Sequence, residues 1–140
     1  MHNQEMLKFF ERDKFAKFIG IELQDVGVGT AKARLELNEN HMNGVGVVHG
    51  GAIYTLADLA FAAAVNSKGR VAVAINCTIS YIKAPKGKFI TAEAWEVAEN
   101  HTLASFSINV SDENGEVIAV FSGMAYKKKD KVEAKQEFPA

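Results

Sequence analysis

The sequence predicts an α+β domain in which one long helix is wrapped by a curved antiparallel sheet. Residues 50–65 read GGAIYTLADLAFAAAV, a helix-like run that is apolar on nearly every side. The chain beyond residue 70 instead alternates between apolar and polar residues in segments separated by short turns, which is typical of antiparallel strands. Because a helix without a polar side has to be covered on most sides, we expect the sheet to curl around it.

Length and composition indicate one domain that covers residues 1–140, since 140 residues with 48% hydrophobic content can bury a single core. The 16 basic and 17 acidic residues leave a net charge of -1, which gives no electrostatic reason to expect nucleic acid or a membrane as partner. The single cysteine, Cys77, cannot form an intrachain disulfide, and no signal-peptide pattern opens the chain. We therefore expect a cytoplasmic protein.

The N-terminal segment, residues 1–20, predicts one or two short amphipathic helices. The apolar residues at helical spacing are Leu7, Phe10, Phe15, Phe18 and Ile19. Asp13 is a predicted N-cap and Gly20 a predicted stop, because aspartate accepts from free helix amides and glycine adopts the left-handed conformation at helix ends. The hydropathy period changes to two from Ile21 onward.

The strands follow from this two-residue period. Lys32, Arg34 and Glu36 alternate with apolar residues, which predicts a half-buried strand, and Gly27 and Gly29 predict a turn before it. Further strands are predicted at 71–81, 89–98, 102–110 and 117–126. The pair Asn114-Gly115 predicts a hairpin, and short connections predict antiparallel pairing of successive strands. Residues 127–140 lack periodicity and are predicted to be a loose tail.

Asp58 lies in the middle of the apolar helix, where a short carboxylate gains nothing from helix propensity and loses hydration. At the start of the same helix, Gly50 and Gly51 allow a ligand to approach amides that have no acceptor within the helix. Such amides and the positive end of the helix dipole suit a carbonyl oxygen that gains charge during acyl transfer. Asp58 could then act as the nucleophile or as the base for a water molecule.

The spacing of these groups predicts a homodimer. Gly50 and Asp58 are eight residues apart, which places them roughly 12 Å apart along one helix. One carbonyl group cannot contact both. If two copies pack these helices antiparallel about a two-fold axis, the start of one helix meets the middle of the other, and two composite sites form. The small residues that would permit close packing of the helices and the sheet are Ala52, Ala57, Ala60 and Ala62 to Ala64.

A motif over residues 43–58, N-x-x-G-x-x-H-G-G-x-x-x-x-L-x-D, is followed by LAFAAAVNSKG and by the strand CTISYIKAP. Together they resemble the hotdog-fold acyl-CoA thioesterases, and most closely the phenylacetate-pathway branch, from about residue 15 to 126. The resemblance implies that Asp58 is the catalytic carboxylate and that the Gly50 amide binds the thioester carbonyl. It further implies that Asn43 positions the reacting water or carboxylate and that His49 shapes the loop beside the thioester. A dimer that is doubled to a tetramer is also implied.

The remaining site assignments concern substrate contacts. The residues expected to bind substrate are Gly51, Tyr54, Phe61, Asn76, Lys83 and Lys86, the lysines as partners of coenzyme A phosphates. Some relatives of this family hold water with a serine where this chain has Ala74, so the contribution of that hydroxyl is either absent here or replaced by Asn76 or Thr78. We expect no metal, because the histidines lack paired ligand spacing, and no cofactor other than coenzyme A as part of the substrate.

Three functions are compatible with these residues. The first is hydrolysis of an acyl-CoA, either an aryl-acyl such as a phenylacetyl type or a short or medium chain, to free acid and coenzyme A. The second is a non-catalytic acyl-CoA-binding or regulatory module on the same fold. The third, a hotdog hydratase or dehydratase, is less favoured because the loop HMNGVGVVHGG has no proline after a histidine.

Overall fold

The computed structural model describes residues 3–132 and shows a six-stranded antiparallel sheet curved around one long helix, which confirms the predicted fold class. The helices are α1 (Asn3–Phe10), α2 (Lys14–Ile19) and α3 (Gly50–Asn66), with a 3-10 turn at Glu39–His41. The strands are β1 (Ile21–Gly27), β2 (Thr30–Glu36), β3 (Arg70–Tyr81), β4 (Phe89–Glu99), β5 (Leu103–Asp112) and β6 (Val117–Lys131). None of the helices among these residues is long and apolar enough to cross a membrane.

Strand order in the sheet is β1-β2-β4-β5-β6-β3, and all pairs are antiparallel. The expected pairing of successive strands holds for β1 with β2, β4 with β5 and β5 with β6. It is wrong for β3 and β4, because β4 lies beside β2 and β3 forms the far edge beside β6. The link at residues 82–88 spans this gap of three strand spacings, about 14 Å, which is well within its extended reach.

Asp112 holds this link against the β5–β6 hairpin. Its carboxylate accepts the backbone amides of Lys86, Asn114 and Glu116 at 3.0, 3.0 and 3.1 Å. These hydrogen bonds, that from Lys86 first, lower the pKa of Asp112. The hairpin predicted from Asn114-Gly115 is confirmed, with Gly115 at a φ of 80°.

Helix α3 presents one side to the sheet and leaves the opposite side open. Its partly or fully exposed residues form a line at helical spacing, which we call the open stripe: Gly50, Gly51, Tyr54, Thr55, Asp58 and Ala62. Of the alanines expected to allow helix packing, only Ala62 lies on the open stripe. The others are buried against the chain's own core because they lie on the helix side that the sheet covers.

The N-terminal segment matches its prediction. Asp13 caps α2 by accepting the Ala16 amide at 3.0 Å, and Gly20 ends the helix with a φ of 102°. Helix α2 then packs against β1 and α3, so the segment covers part of α3 next to the open stripe.

The last strand continues beyond the predicted boundary. Strand β6 runs to Lys131, so the prediction of a loose tail from residue 127 is wrong for residues 127–131. The Lys127 amide donates to the Thr102 carbonyl at 2.7 Å, and its ammonium group pairs with Glu99 at 2.7 Å. This pair, together with a second one to Lys68, lowers the pKa of Glu99 to about 2. Residues 133–140 of the predicted tail lie outside the described residues.

Candidate active site

The start of α3 leaves one backbone amide without an acceptor. His49 is the N-cap, and its Nδ1 accepts the Gly51 amide at 2.7 Å. The His49 carbonyl accepts the amides of Ala52 and Ile53 at 3.0 and 3.3 Å. Among residues 3–132, the Gly50 N–H therefore remains free to donate. Because His49 Nδ1 accepts, the neutral ring carries its proton on Nε2, which is a second available donor.

Asn43 shapes the loop that leads to this helix. Its side-chain oxygen accepts the backbone amides of Val45 and Val47 at 3.0 and 3.2 Å, and its backbone amide donates to the Val47 carbonyl at 2.8 Å. The oxygen is thus used inside the loop. The amide nitrogen is the part of the Asn43 side chain that can bind a ligand, and it can act only as a donor.

His41 anchors the other end of the loop. The imidazole is buried, accepts the Asn38 amide at 3.1 Å and donates from Nε2 to the Ile19 carbonyl at 2.6 Å. The His41 carbonyl accepts the His49 amide at 2.7 Å. Both ring nitrogens are occupied, so His41 has a structural role that joins the end of α2 to the start of α3.

Asp58 is half-buried on the open stripe and has no hydrogen-bond or ion-pair partner in the described part of the chain. Burial raises the pKa of this carboxyl group, and the charge of Asp13 raises it further. A carboxylate in this position is a candidate functional group, because neither packing nor a counter-charge within the chain accounts for it.

Tyr54 and Cys77 lie beside Asp58. Tyr54 is one helical turn earlier on the open stripe, and its hydroxyl interacts electrostatically with the Cys77 thiol of β3. Burial raises the pKa of Cys77, which keeps the thiol protonated and argues against thiolate catalysis. Burial also raises the pKa of Tyr54, so the hydroxyl stays a neutral donor.

A cavity of about 460 Å³ opens between α2 and the first turns of α3. Its walls include Phe15, Ile19, Met42, His49, Tyr54 and Tyr81. Among residues 3–132, no lysine, arginine, aspartate or glutamate lines this cavity, which suits an uncharged group. A larger cavity of about 570 Å³ lies under α1 and α2 but contains none of the residues of the 43–58 motif.

The structure does not bring every predicted site residue to this region. Phe61 is 1% exposed, its ring packs against Phe106 and Phe121, and it occupies the space above Gly123. It is a core residue because the sheet covers this part of α3, although Phe61 projects in nearly the same direction as Tyr54 two turns earlier. The prediction that Phe61 binds substrate is therefore wrong.

The remaining predicted contacts lie on or after β3. Asn76 is exposed on this strand, as is Ala74. Lys83 is paired with Glu116 at 2.6 Å, whereas the exposed Lys86 has no ion-pair partner in the described residues. Of the two lysines, Lys86 is the more available to an anion.

Tyr81 is the site residue that sequence reasoning missed. It ends β3, and its hydroxyl donates to the Gly50 carbonyl at 3.1 Å. The meeting of the end of β3 with the start of α3 depends on the curvature of the sheet, for which the sequence offers no local signal. Along the helix, Gly50 and Asp58 stay roughly 12 Å apart, so the described chain does not join them in one site.

Comparisons with known proteins identify the family and the fold. The family model described as the thioesterase superfamily matches residues 45–119. The chain is 35% identical over 119 residues to a protein of Archaeoglobus fulgidus that carries an esterase name, covering 84% of this chain and 77% of that protein. It is 31% identical over 119 residues to the acyl-coenzyme A thioesterase PaaI of Escherichia coli, covering 84% and 85% of the two chains. The solved structure of PaaI from the E. coli phenylacetic acid degradation operon matches with a TM-score of 0.87 at 28% identity over 93% of this chain and 95% of that chain.

Proposed function

The chain belongs to the thioesterase superfamily and is a thioester hydrolase with the hotdog fold, and we propose that its substrate is an acyl-coenzyme A. The reaction adds water across the thioester bond and releases a free acid and coenzyme A. The proposal rests on two groups of the open stripe: the carboxylate of Asp58, which has no partner among the described residues, and the free backbone amide of Gly50. These are the two groups that thioester hydrolysis needs.

In this mechanism the Gly50 amide and the helix dipole polarise the thioester carbonyl and stabilise the oxyanion that forms on attack. The His49 Nε2 proton is a second donor next to the same amide. Asp58 either attacks the carbonyl carbon or takes a proton from the attacking water. Collapse of the oxyanion then expels the thiolate of coenzyme A. When Asp58 is the nucleophile, this leaves a mixed anhydride on Asp58, which water hydrolyses to the free acid and the regenerated carboxylate. When Asp58 is the base, the acid forms directly and the proton on Asp58 passes to the thiolate.

The site is completed by a second copy of the chain. The open stripe carries small residues at Gly51, Thr55 and Ala62, which allow two α3 helices to approach closely when antiparallel. Strand β3 supports this arrangement, because it is an edge of the sheet and exposes Val73 (40%) and Ile75 (55%). The two-fold pairing places Gly50 of one protomer beside Asp58 of its partner. A doubling of this dimer to a tetramer is part of the proposal.

The acyl group occupies the cavity beside the start of α3. Its volume of about 460 Å³ accommodates an aryl-acyl group such as a phenylacetyl type, and its aromatic walls Phe15, Tyr54 and Tyr81 suit a flat ring. The relative PaaI of E. coli belongs to a phenylacetic acid degradation operon, which favours the same class. Short aliphatic acyl groups fill the cavity less completely, and medium chains have no flat ring to place against these walls. Lys86 is the proposed partner of a coenzyme A phosphate.

The proposal is tested by thiol release from a panel of phenylacetyl-, hydroxyphenylacetyl-, hexanoyl- and acetyl-coenzyme A. We expect turnover by the wild type and a fall of about 10²- to 10⁴-fold in kcat for Asp58→Asn, which keeps the shape of the side chain and removes the base. Wild-type turnover by Asp58→Asn would contradict the mechanism. A single turnover in ¹⁸O-labelled water, with the label sought in Asp58 and in the acid, distinguishes nucleophile from base.

The same assay separates the other functions. Saturable binding of every thioester by the wild type without thiol release would indicate a binding module. A change in enoyl-thioester absorbance without thiol release would indicate a hydratase or dehydratase.

A further inference from the structure

Tyr81 makes two contacts with Gly50. Its hydroxyl donates to the Gly50 carbonyl at 3.1 Å. Its ring lies where a side chain on Gly50 would have to be, since a Cβ atom at residue 50 would meet three Tyr81 atoms at 3.1 to 3.3 Å. Tyr81 is 51% exposed and also lines the cavity that contains His49 and Gly51. The tyrosine thus fills the space beside the one free amide of α3.

The Tyr81 hydroxyl is the first member of a continuous chain of hydrogen bonds. It donates to the carbonyl of the Gly50–Gly51 peptide, and the N–H of that peptide donates to His49 Nδ1 at 2.7 Å. His49 in turn lines the cavity, and its Nε2 carries the remaining ring proton. Successive hydrogen bonds of this kind polarise one another, so the Tyr81 hydroxyl strengthens the last donor in the chain.

Gly50 needs such support because glycine has the largest backbone freedom of any residue and the first turn of a helix frays most readily. The peptide before Gly50 is fixed through the His49 carbonyl, which accepts two amides. The peptide after Gly50 is fixed at its N–H by His49 and at its carbonyl by Tyr81. The Gly50 N–H lies in the plane of the first of these peptides. Fixing the second peptide restrains rotation about the Gly50 Cα atom that joins the two, and so holds the N–H in one direction.

We propose that Tyr81 is a positioning residue for thioester hydrolysis, which fixes the Gly50–Gly51 peptide so that the Gly50 amide and the His49 Nε2 proton converge on the thioester oxygen. This inference rests on the proposed function. The hydroxyl acts through Gly50 and His49 and makes no contact with the reacting atoms. Its contribution is therefore to kcat, since the oxyanion needs the alignment more than the bound thioester does.

The first test compares Tyr81→Phe with the wild type. Removing only the hydroxyl is expected to lower kcat about tenfold, which corresponds to one hydrogen bond, and to leave KM within about twofold. Tyr126→Phe is the matched control, because Tyr126 is a half-exposed tyrosine of β6 outside the cavity, and its kcat is expected to stay at the wild-type value. An unchanged kcat in Tyr81→Phe, or an equal loss in Tyr126→Phe, would overturn the inference.

A spectroscopic test uses phenylacetyl-coenzyme A labelled with ¹³C at the carbonyl and bound to Asp58→Asn. The infrared stretch of the bound carbonyl is expected to fall below its value in water, because the Gly50 amide polarises the bond. In Asp58→Asn/Tyr81→Phe it is expected to return part of the way toward the value in water. An identical frequency in the two proteins would overturn the role of Tyr81.

The close contact between the two residues supplies a third test. Gly50→Ala forces its new Cβ atom against the Tyr81 ring, and Tyr81→Ala removes that ring. We expect the double variant to have a kcat no lower than Tyr81→Ala alone, whereas independent effects would multiply. The role of Tyr81 and the proposed function can fail separately. If the proposed function is wrong, Asp58→Asn keeps wild-type turnover; if only the role of Tyr81 is wrong, Asp58→Asn still loses turnover.

Discussion

Asp58 is a residue whose proposed catalytic role comes with a cost in the stability of the folded chain. Its pKa is raised by burial and by Asp13, so the folded state favours the protonated carboxyl group. The stability associated with this proton is present below the ordinary aspartate pKa and is lost as pH rises through the raised value. At neutral pH the ionised side chain therefore destabilises the native state, as expected of a residue retained for chemistry.

Asp58→Asn should consequently stabilise the protein while it abolishes hydrolysis. We expect its Tm to exceed that of the wild type by a few degrees at about pH 7, and the difference to disappear at about pH 3, where both side chains are neutral. Thermal unfolding at the two pH values measures this. Asp130→Asn, at an exposed position of β6, is the control and should leave Tm unchanged at both. A lower Tm for Asp58→Asn at neutral pH would contradict the argument.

At the same scale, the sequence indicated candidate groups better than it indicated side-chain directions. Asp58, Gly50 and His49 stand out as candidates because a carboxylate in an apolar helix and a glycine pair after a histidine are unusual in local terms. Phe61 was misplaced because it lies only about 60° around the helix from Asp58, and the edge of the covered side depends on the sheet. Tyr81 was missed because its contact with Gly50 joins residues 31 positions apart.

At the scale of elements, helix α2 offers two exposed phenylalanines with different surroundings. Phe15 is 62% exposed and forms a wall of the cavity, whereas Phe18 is 87% exposed and is absent from its lining. Replacing an exposed aromatic residue leaves the core intact, so both alanine variants should fold. The pair can therefore separate contact with the acyl group from general effects of removing an aromatic ring from α2.

We expect Phe15→Ala to lower kcat/KM for phenylacetyl-coenzyme A about tenfold, since loss of one apolar wall removes about 1 to 2 kcal/mol of contact with the ring. Acetyl-coenzyme A is too short to reach this wall, so its kcat/KM should change less than about twofold. Phe18→Ala should match the wild type with both substrates. Equal losses with both thioesters would show that Phe15 does not contact the acyl group.

The periodicity of the sequence predicted the helices and strands themselves, but it did not predict which strands lie side by side in the sheet. Two-residue alternation identified the strands, and Asp13 and Gly20 marked α2 correctly, because these signals are local. The insertion of β4 between β2 and β5 depends on how the sheet closes around α3, which no local pattern specifies. Strand β6 extends to Lys131 because Lys127 is buried and paired with Glu99. A run of charged residues conceals that contact in the sequence.

For the whole molecule, the open stripe of α3 and the edge strand β3 both favour assembly with a second copy of the chain. Within residues 3–132, both surfaces lack a partner, and both lie beside the Asp58 carboxylate and the Cys77 thiol. In the proposed dimer, one two-fold axis pairs both surfaces. The dimer predicted from the 12 Å separation is therefore testable as a property of catalysis, independently of molecular mass.

Two variants each remove one half of the composite site. Asp58→Asn removes the carboxylate. Gly50→Pro removes the amide proton, and proline fits the first position of a helix when the preceding residue is extended, as His49 is at φ -63° and ψ 135°. Gly50→Ala is the matched control, since it adds the same Cβ contact with Tyr81 but keeps the N–H. Its activity should therefore exceed that of Gly50→Pro.

Mixing the two inactive proteins should restore activity if each site is shared between protomers. A heterodimer of Gly50→Pro with Asp58→Asn contains one site that combines an intact Gly50 amide with an intact Asp58, and one site that lacks both. Random exchange of protomers makes half of the dimers mixed, so thiol release should recover to about a quarter of the wild-type rate. Subunit exchange is driven by mild denaturant followed by dilution, and each variant treated alone is the control. If both groups acted within one chain, no pairing could assemble an intact site, and the mixture would stay at the mean of its two inactive parents.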